Sequence, residues 1–377
     1  MRASMTDAAR TIGVEMHGAT LNLRCNHEPQ LRYTETLLGP MVRSPFARPH
    51  LVVESTWLTP RSEEESIAPV FDVTGLDAYG KRMHIGEDRL VWSNTHRDRH
   101  LQLRFRRHDG VQCFDVAYQY LASERQLARH PDHERKKYFD LVRYLVLFPF
   151  AWYLRRTRGW ELMHAAAATD GESAVVFAGP AGAGKSTTCM AMVASAGMQL
   201  LTENLALVDG MRIHPISEPI RLTEEGLELL GDAGQHLQPL REGGLKQKAM
   251  FVPPANMTGA RASAVFLVRL SERGFARRLP PRQAFRAIRA TNMLSLTLND
   301  FSWYSAALDL LWPHPGDGDG QSLRRLTRSV PCFSLGIDRT AGTGPVVERV
   351  LACLGRRPLG AEPGHDLPAT DRDLVSN

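Results

Sequence analysis

The chain has 377 residues, 43% hydrophobic and 23% charged, the balance of a folded globular protein rather than a disordered or fibrous one. Its formal net charge is +5, and its arginines are dispersed apart from the pairs Arg155-Arg156, Arg277-Arg278 and Arg324-Arg325. That pattern lacks the dense basic stripe with interleaved aromatics of a nucleic-acid binder, so no nucleic-acid partner is expected.

Cysteines Cys25, Cys113, Cys189, Cys332 and Cys353 are scattered. Their spacing suits neither a zinc site nor a disulfide framework, and they read as reduced thiols of a cytoplasmic protein. The first 18 residues hold no apolar signal core. Residues 12–120 read as β-rich, with short strands expected at 19–24, 50–54 and 88–93 and a polar loop or helix start at 61–66. Leu101, Leu103 and Phe105 alternate with polar residues. His108-Asp109-Gly110 then turns the chain into 111–118, which is a hairpin signal.

From 123 to 158 the pattern becomes helical. Phe139, Val142, Leu145 and Val146 recur at three- and four-residue steps, and Pro131 and Pro149 divide the segment into two or three helices. The most apolar stretch, 141–154, contains Arg143 and Pro149. It is shorter than the roughly 20 residues of a membrane-spanning helix, so no membrane contact is expected. Beyond 161, strands and helices alternate. Strands are expected at 174–178, 199–201, 205–208, 264–268 and 330–335. Helices are expected from Lys185 to about Ala196, over most of 281–312, and from 344 to 354. Asp209-Gly210 reads as a type I′ turn, with a metal-ligand role for Asp209 the weaker alternative. The domains expected are a β-rich unit at 1–122, a helical connector at 123–158, an α/β unit at 159–355 and a flexible tail at 356–377.

Gly179-Pro180-Ala181-Gly182-Ala183-Gly184-Lys185-Ser186 is a complete Walker A pattern, with a strand before it and a helix after it. The glycines let backbone N–H groups turn inward around a phosphate. The helix beginning near Lys185 aims its positive end at the same anion. Lys185 reaches the outer phosphates, Ser186 offers a hydroxyl to Mg²⁺, and Thr187 completes the cradle. ATP and Mg²⁺ are therefore the expected cofactors.

Met163-His164, four alanines, a turn at Asp170-Gly171, an apolar strand, the glycine loop and then Leu-Leu-Thr-Glu203-Asn204 resemble the catalytic domain of HPr kinase/phosphorylase. The likeness is stronger to its divergent bacterial relatives. It covers roughly 160–340 and is specific over 163–209. It implies an α/β fold with a P-loop kinase domain of the HPr-kinase type behind a β-rich N-terminal domain. It also implies that His164 stands near the γ-phosphate or the substrate. Glu203 and Asn204 fall where the family has two acidic residues, the first of them the general base and the metal held close by. Glu203 is then the base and Asn204 a metal ligand beside Ser186. Asn204 departs from the pattern because it brings no charge. The family's phosphorylase activity and HPr itself are not implied, since the accompanying glycine-rich substrate signature is not evident. A further cation is expected from Lys246 or Lys248, and Arg221 is another candidate to face the site. For His164 a packed structural role stays open, and for the lysines a solvated one.

The expected activity is ATP- and Mg²⁺-dependent phosphorylation of a hydroxyl. The acceptor is a serine in a peptide or protein, a ribosomal peptide precursor among them, or a small metabolite. The N-terminal unit would select it. A weakly catalytic nucleotide-binding module for regulation or assembly, and a P-loop ATPase, are the alternatives. A homo-oligomer is left open.

Overall fold

Side chains on a pleated ribbon alternate between its faces, so a sheet covered on one side buries every second residue. Strand β4 (Leu51–Leu58) follows that rule along its whole length. It sits near the middle of a nine-stranded sheet. The others are β1 (Arg10–Met16), β2 (Ala19–Cys25), β3 (Val42–Arg43), β5 (Asp77–Ala78), β6 (Met83–Ile85), β7 (Arg89–Trp92), β8 (Leu101–His108) and β9 (Val111–Gln119). Their order is β3-β1-β2-β4-β9-β8-β7-β6-β5. The expected hairpin is β8–β9, closed by His108 opposite Val111. β4 runs parallel to both β2 and β9, and helix α1 (Glu28–Leu38) lies in the crossover from β2. The computed structural model describes residues 9–356 apart from 94, 96, 97, 109, 217, 219, 231–238, 242–247, 252–257 and 314–319.

The helical segment opens with α2 (Glu124–Arg129), where Ser123 and Gln126 form a reciprocal capping box. Helix α3 (His133–Val142) then runs through a single π-helical turn, Arg143–Leu147, into α4 (Phe148–Arg158). Pro149 lies in the first turn of α4, where a missing N–H is tolerated. Gly159, with φ 67°, ends α4 in the left-handed conformation that suits glycine.

This segment is packed into one apolar cluster with the first sheet. Leu145, Phe148 and Trp152 meet Leu23, Val53, Phe105 and Phe114, and Leu205 and Leu207 of the second half belong to the same cluster. So does helix α8 (Leu296–Leu311). Its Tyr304 is fully buried, packs edge-on against Phe105, ring centroids 5.3 Å apart, and lies tilted against Phe148 at 5.4 Å. Among the described residues no helix is long and apolar enough to cross a membrane.

The second sheet has eight strands: β10 (Glu161–Thr169), β11 (Ser173–Ala178), β12 (Gln199–Thr202), β13 (Leu205–Val208), β14 (Arg212–Pro215), β18 (Ala260–Leu270), β19 (Phe275–Leu279) and β20 (Cys332–Ile337). β11, β18 and β20 are parallel neighbours. β10 pairs antiparallel with β11 on one edge and with β12 and β13 on the other. A small third sheet holds β15 (Ile220–Thr223), β16 (Pro239–Arg241) and β17 (Lys248–Phe251). Helices α5 (Lys185–Ala196), α6 (Glu224–Leu230), α7 (Pro281–Met293), α9 (Gln321–Ser329) and α10 (Gly344–Cys353) complete a mixed α/β architecture. Strand β19 and helix α9 have no counterpart in the sequence expectations. Both are short and strongly charged, and their regular structure comes from neighbours: β19 pairs along β20, and α9 buries Leu323 and Leu326.

Because one cluster spans the first sheet, the helical segment and α8, unfolding should be a single transition. Trp152→Ala empties a fully enclosed site and should cost about 3–5 kcal/mol. Guanidinium titration followed by both fluorescence and circular dichroism checks this. Two separated transitions in the wild type would contradict the shared core.

Candidate functional site

The glycine loop joins β11 to α5 at the C-terminal ends of three parallel strands, the place where open α/β sheets accept ligands. Gly179 lies so close to β18 that a Cβ there would come within 2.6 Å of the Val268 carbonyl oxygen. Gly182 and Gly184 take φ values of 77° and 94°, and Gly184 caps α5. Left-handed residues at these points turn successive N–H groups toward one centre. Pro180 and Ala181 form the outer curve, Ala183 is buried against the sheet, and the Thr188 N–H starts the helix by donating to Gly184 O. A cavity of about 350 Å³ opens beside the loop, lined by Gly182, Lys185, Thr187, Ile337, Arg339 and Thr343 among others.

Two side chains of the loop are already held. Lys185 is 6% exposed, and its Nζ donates to Pro180 O at 3.0 Å. Ser186 Oγ donates to Glu203 Oε1 at 2.6 Å, while Glu203 Oε2 is buried without a hydrogen-bond partner. The β10 pairing accounts for this meeting. β12 and β13 follow one another along one edge of β10, so the link between them, Glu203-Asn204, runs beside Ala165 of the strand next to β11. The Ala165 N–H donates to Asn204 O at 3.1 Å and fixes the link there.

His164 faces Leu205 across that pairing and is 7% exposed. Its backbone N–H donates to Asn292 Oδ1 at 3.0 Å. Burial, followed by the positive charges of Lys185 and Arg221, lowers its pKa to about 4, and a hydrogen bond with the Asn204 side chain opposes the shift. His164 Nδ1 has no partner. Arg221, on β15, is thus close enough to act on the ring. Lys246 lies outside the described residues, and Lys248 begins β17.

Asp209 has a local role. Its Oδ1 accepts from the Met211 and Arg212 N–H groups, and its Oδ2 meets His214 Nε2 at 3.0 Å. The turn spans Asp209 to Arg212, with Gly210 at φ 102°. It therefore differs from the expected type I′ turn at Asp209-Gly210: the central pair is Gly210-Met211, and only the glycine has positive φ.

Sequence reasoning missed Glu218 and Arg143. Glu218 is 7% exposed, and its Oε2 accepts a short hydrogen bond from Asn204 Nδ2. Arg143 Nε lies 3.9 Å from Glu218 Oε1. No spacing connects positions 143, 204 and 218. The one signal was a charged residue inside the apolar stretch 141–154, which counts against a membrane span and equally announces a buried partner.

Among the described residues no group of three or more His, Cys, Asp or Glu side chains could hold a metal. The Ser186 hydroxyl and the unpartnered Glu203 oxygen are nevertheless hard oxygen donors of the kind Mg²⁺ takes when substrate phosphates and water complete its shell. The Asn204 amide is engaged by Glu218. No family model matches the chain, and comparison with curated proteins yields no match.

The close approach of the loop to β18 is testable. Gly179→Ala drives a Cβ into backbone and should cost about 1–3 kcal/mol, the scale of overpacking. Gly344→Ala meets nothing within 4 Å and should stay within about 0.5 kcal/mol of wild type. Urea denaturation of both variants checks the pair, and equal midpoints would show that the loop is not pressed against the strand.

Proposed function

We propose that this protein is a P-loop phosphotransferase of the HPr-kinase type, which passes the γ-phosphate of ATP to a hydroxyl. The observation that carries the reading is the hydrogen bond from Ser186 to Glu203. It sets a loop hydroxyl and a carboxylate from the neighbouring strand end on one side of the N-terminus of α5. Lys185 belongs to the same loop, and its charge and that of Arg221 both act on His164. Phosphoryl transfer asks a protein mainly for positioning and charge neutralisation, and these four side chains supply both.

In this reading the inward N–H groups of 179–184 hold the β-phosphate, and Lys185 leaves Pro180 O to reach the outer phosphates. Ser186 and Glu203 Oε1 would hold Mg²⁺. When bound, the ion neutralises charge on the phosphate oxygens. Glu203 Oε2 accepts the proton of the attacking hydroxyl. Arg221 faces the charge that builds on the transferred group. Thr187, Ile337, Arg339 and Thr343 line the space left for the nucleoside. The acceptor is a peptide or protein serine or a small metabolite hydroxyl, and the N-terminal sheet is the surface that selects it.

Lys185→Ala removes a charge-assisted phosphate contact and should weaken ATP binding by about 1.5–3 kcal/mol, read by calorimetry. Unchanged affinity would sink the nucleotide site. Glu203→Gln should keep ATP·Mg²⁺ binding while transfer falls roughly 10²–10⁴-fold, the scale of a general base. Labelled ATP with Mg²⁺ and a panel of peptides and metabolite extracts tests the whole assignment. Label on an acceptor supports a kinase. Free phosphate alone points to an ATPase, and binding without either to a nucleotide-dependent regulatory module.

A further inference from the structure

We infer that the outer face of α8 is a contact surface for a second copy of this chain, the two α8 helices packing antiparallel about a two-fold axis at Trp303. The pairing is independent of the phosphotransfer reading.

Helix α8 is apolar on both sides. Its inner face sends Phe301, Tyr304, Leu308 and Leu311 into the shared core. Its outer face carries Leu296, Trp303 and Leu310, which are 60%, 66% and 40% exposed. Met293 and Leu294 are exposed as well and continue the patch at its N-terminal end. Among the described residues, these five are half of the ten large apolar side chains left open. A helix that is apolar all round is one that is covered all round, and a contiguous open patch marks an interaction site. The neighbouring helices show the contrast. α7 turns Arg282, Arg286 and Arg289 to solvent, and α9 turns Arg324, Arg325 and Arg328.

The pattern of the stripe points to its occupant. Leu296 and Leu310 stand seven residues to either side of Trp303, two helical turns and about 10 Å along the axis, so all three share one face. The stripe therefore reads the same in both directions. A two-fold axis at Trp303 sets Leu296 of each copy against Leu310 of the other, which is the self-complementary relation of an isologous interface. Asn299 and Ala306, four residues before and three after Trp303, carry short side chains and border a groove along the helix. They leave room for the indole of the second copy, as a knob between smaller neighbours. Charge agrees with this occupant. Between Ala290 and Trp312 the charged residues are Asp300 and Asp309 alone. Asp309 faces Arg155 at 3.7 Å and accepts from Trp152 Nε1 at 3.3 Å, and Asp300 lines a small cavity with Tyr118 and Tyr144. No like charges meet when the stripe faces itself. The five open side chains present on the order of 600 Å², close to the ~800 Å² that each partner contributes to a standard interface.

Analytical ultracentrifugation of the full chain should show a concentration-dependent dimer. Trp303→Asp should raise its dissociation constant roughly 30-fold or more, the scale of a central interface tryptophan. The circular dichroism spectrum should not change, because Trp303 lies outside the core. Leu310→Asp is the second variant and should act in the same direction. Cross-linking reads the orientation. Leu296→Cys and Leu310→Cys, each oxidised alone, should link no more than wild type treated in the same way, which controls for the native thiols. Mixed, the two should give a disulfide-linked dimer, since the axis opposes these positions. A monomer at every concentration overturns the inference. So does a dimer that survives both aspartate variants, or Leu296→Cys linking to itself. A monomer that instead binds phosphatidylcholine vesicles through Trp303 would give the face a lipid occupant and overturn it too.

Discussion

Strand β10 is the constraint on which the site depends. Ala165 and Ala167 point into one apolar layer and Ala166 and Ala168 into the other, and all four are fully buried. A strand covered on both faces and paired on both edges has no freedom to slip, because a one-residue shift would exchange its two faces. The small side chains let α5 pack closely over the strand. Everything that meets at the glycine loop is referred to this strand. The loop follows its partner β11, Glu203 and Asn204 link its partners β12 and β13, and His164 lies within it.

The electrostatics follow from that crowding. The positive charges of Lys185 and Arg221 add to burial in lowering the pKa of His164. A third positive charge in the same enclosed space would be costly, and the histidine is held neutral. Glu203 accepts from Ser186, and Glu218 accepts from Asn204 beside Arg143. Inward N–H groups at the start of a helix favour an anion.

The two halves of the molecule share more than a chain connection. The helices at 123–158 and α8 fill the space between the first sheet and β13, so the apolar cluster is continuous from Leu23 to Tyr304. Arg143 projects from this packed segment toward Glu218. The first sheet and the strands beside the glycine loop are thus joined by a buried ion pair as well as by packing.

Much of this was legible in the sequence where the signal is local. Alternation marked the start of β8, and the turn after it announced β9. The glycine loop announced itself because Gly182 and Gly184 must adopt left-handed backbone, and because a strand and a helix flank them within a few residues. Ser186 and Glu203 could be named, but not joined. Their contact depends on β12 and β13 folding back along β10, a pairing that no spacing encodes. Glu218 and Arg143 were invisible for the same reason. A buried ion pair between residues 75 positions apart in the chain leaves no periodic trace, and its partners look like any surface charges until packing removes the water around them. Sequence alone determined which backbone could cradle an anion. Only the tertiary structure decided which side chains face it, because long-range strand pairing, not local propensity, brings them together.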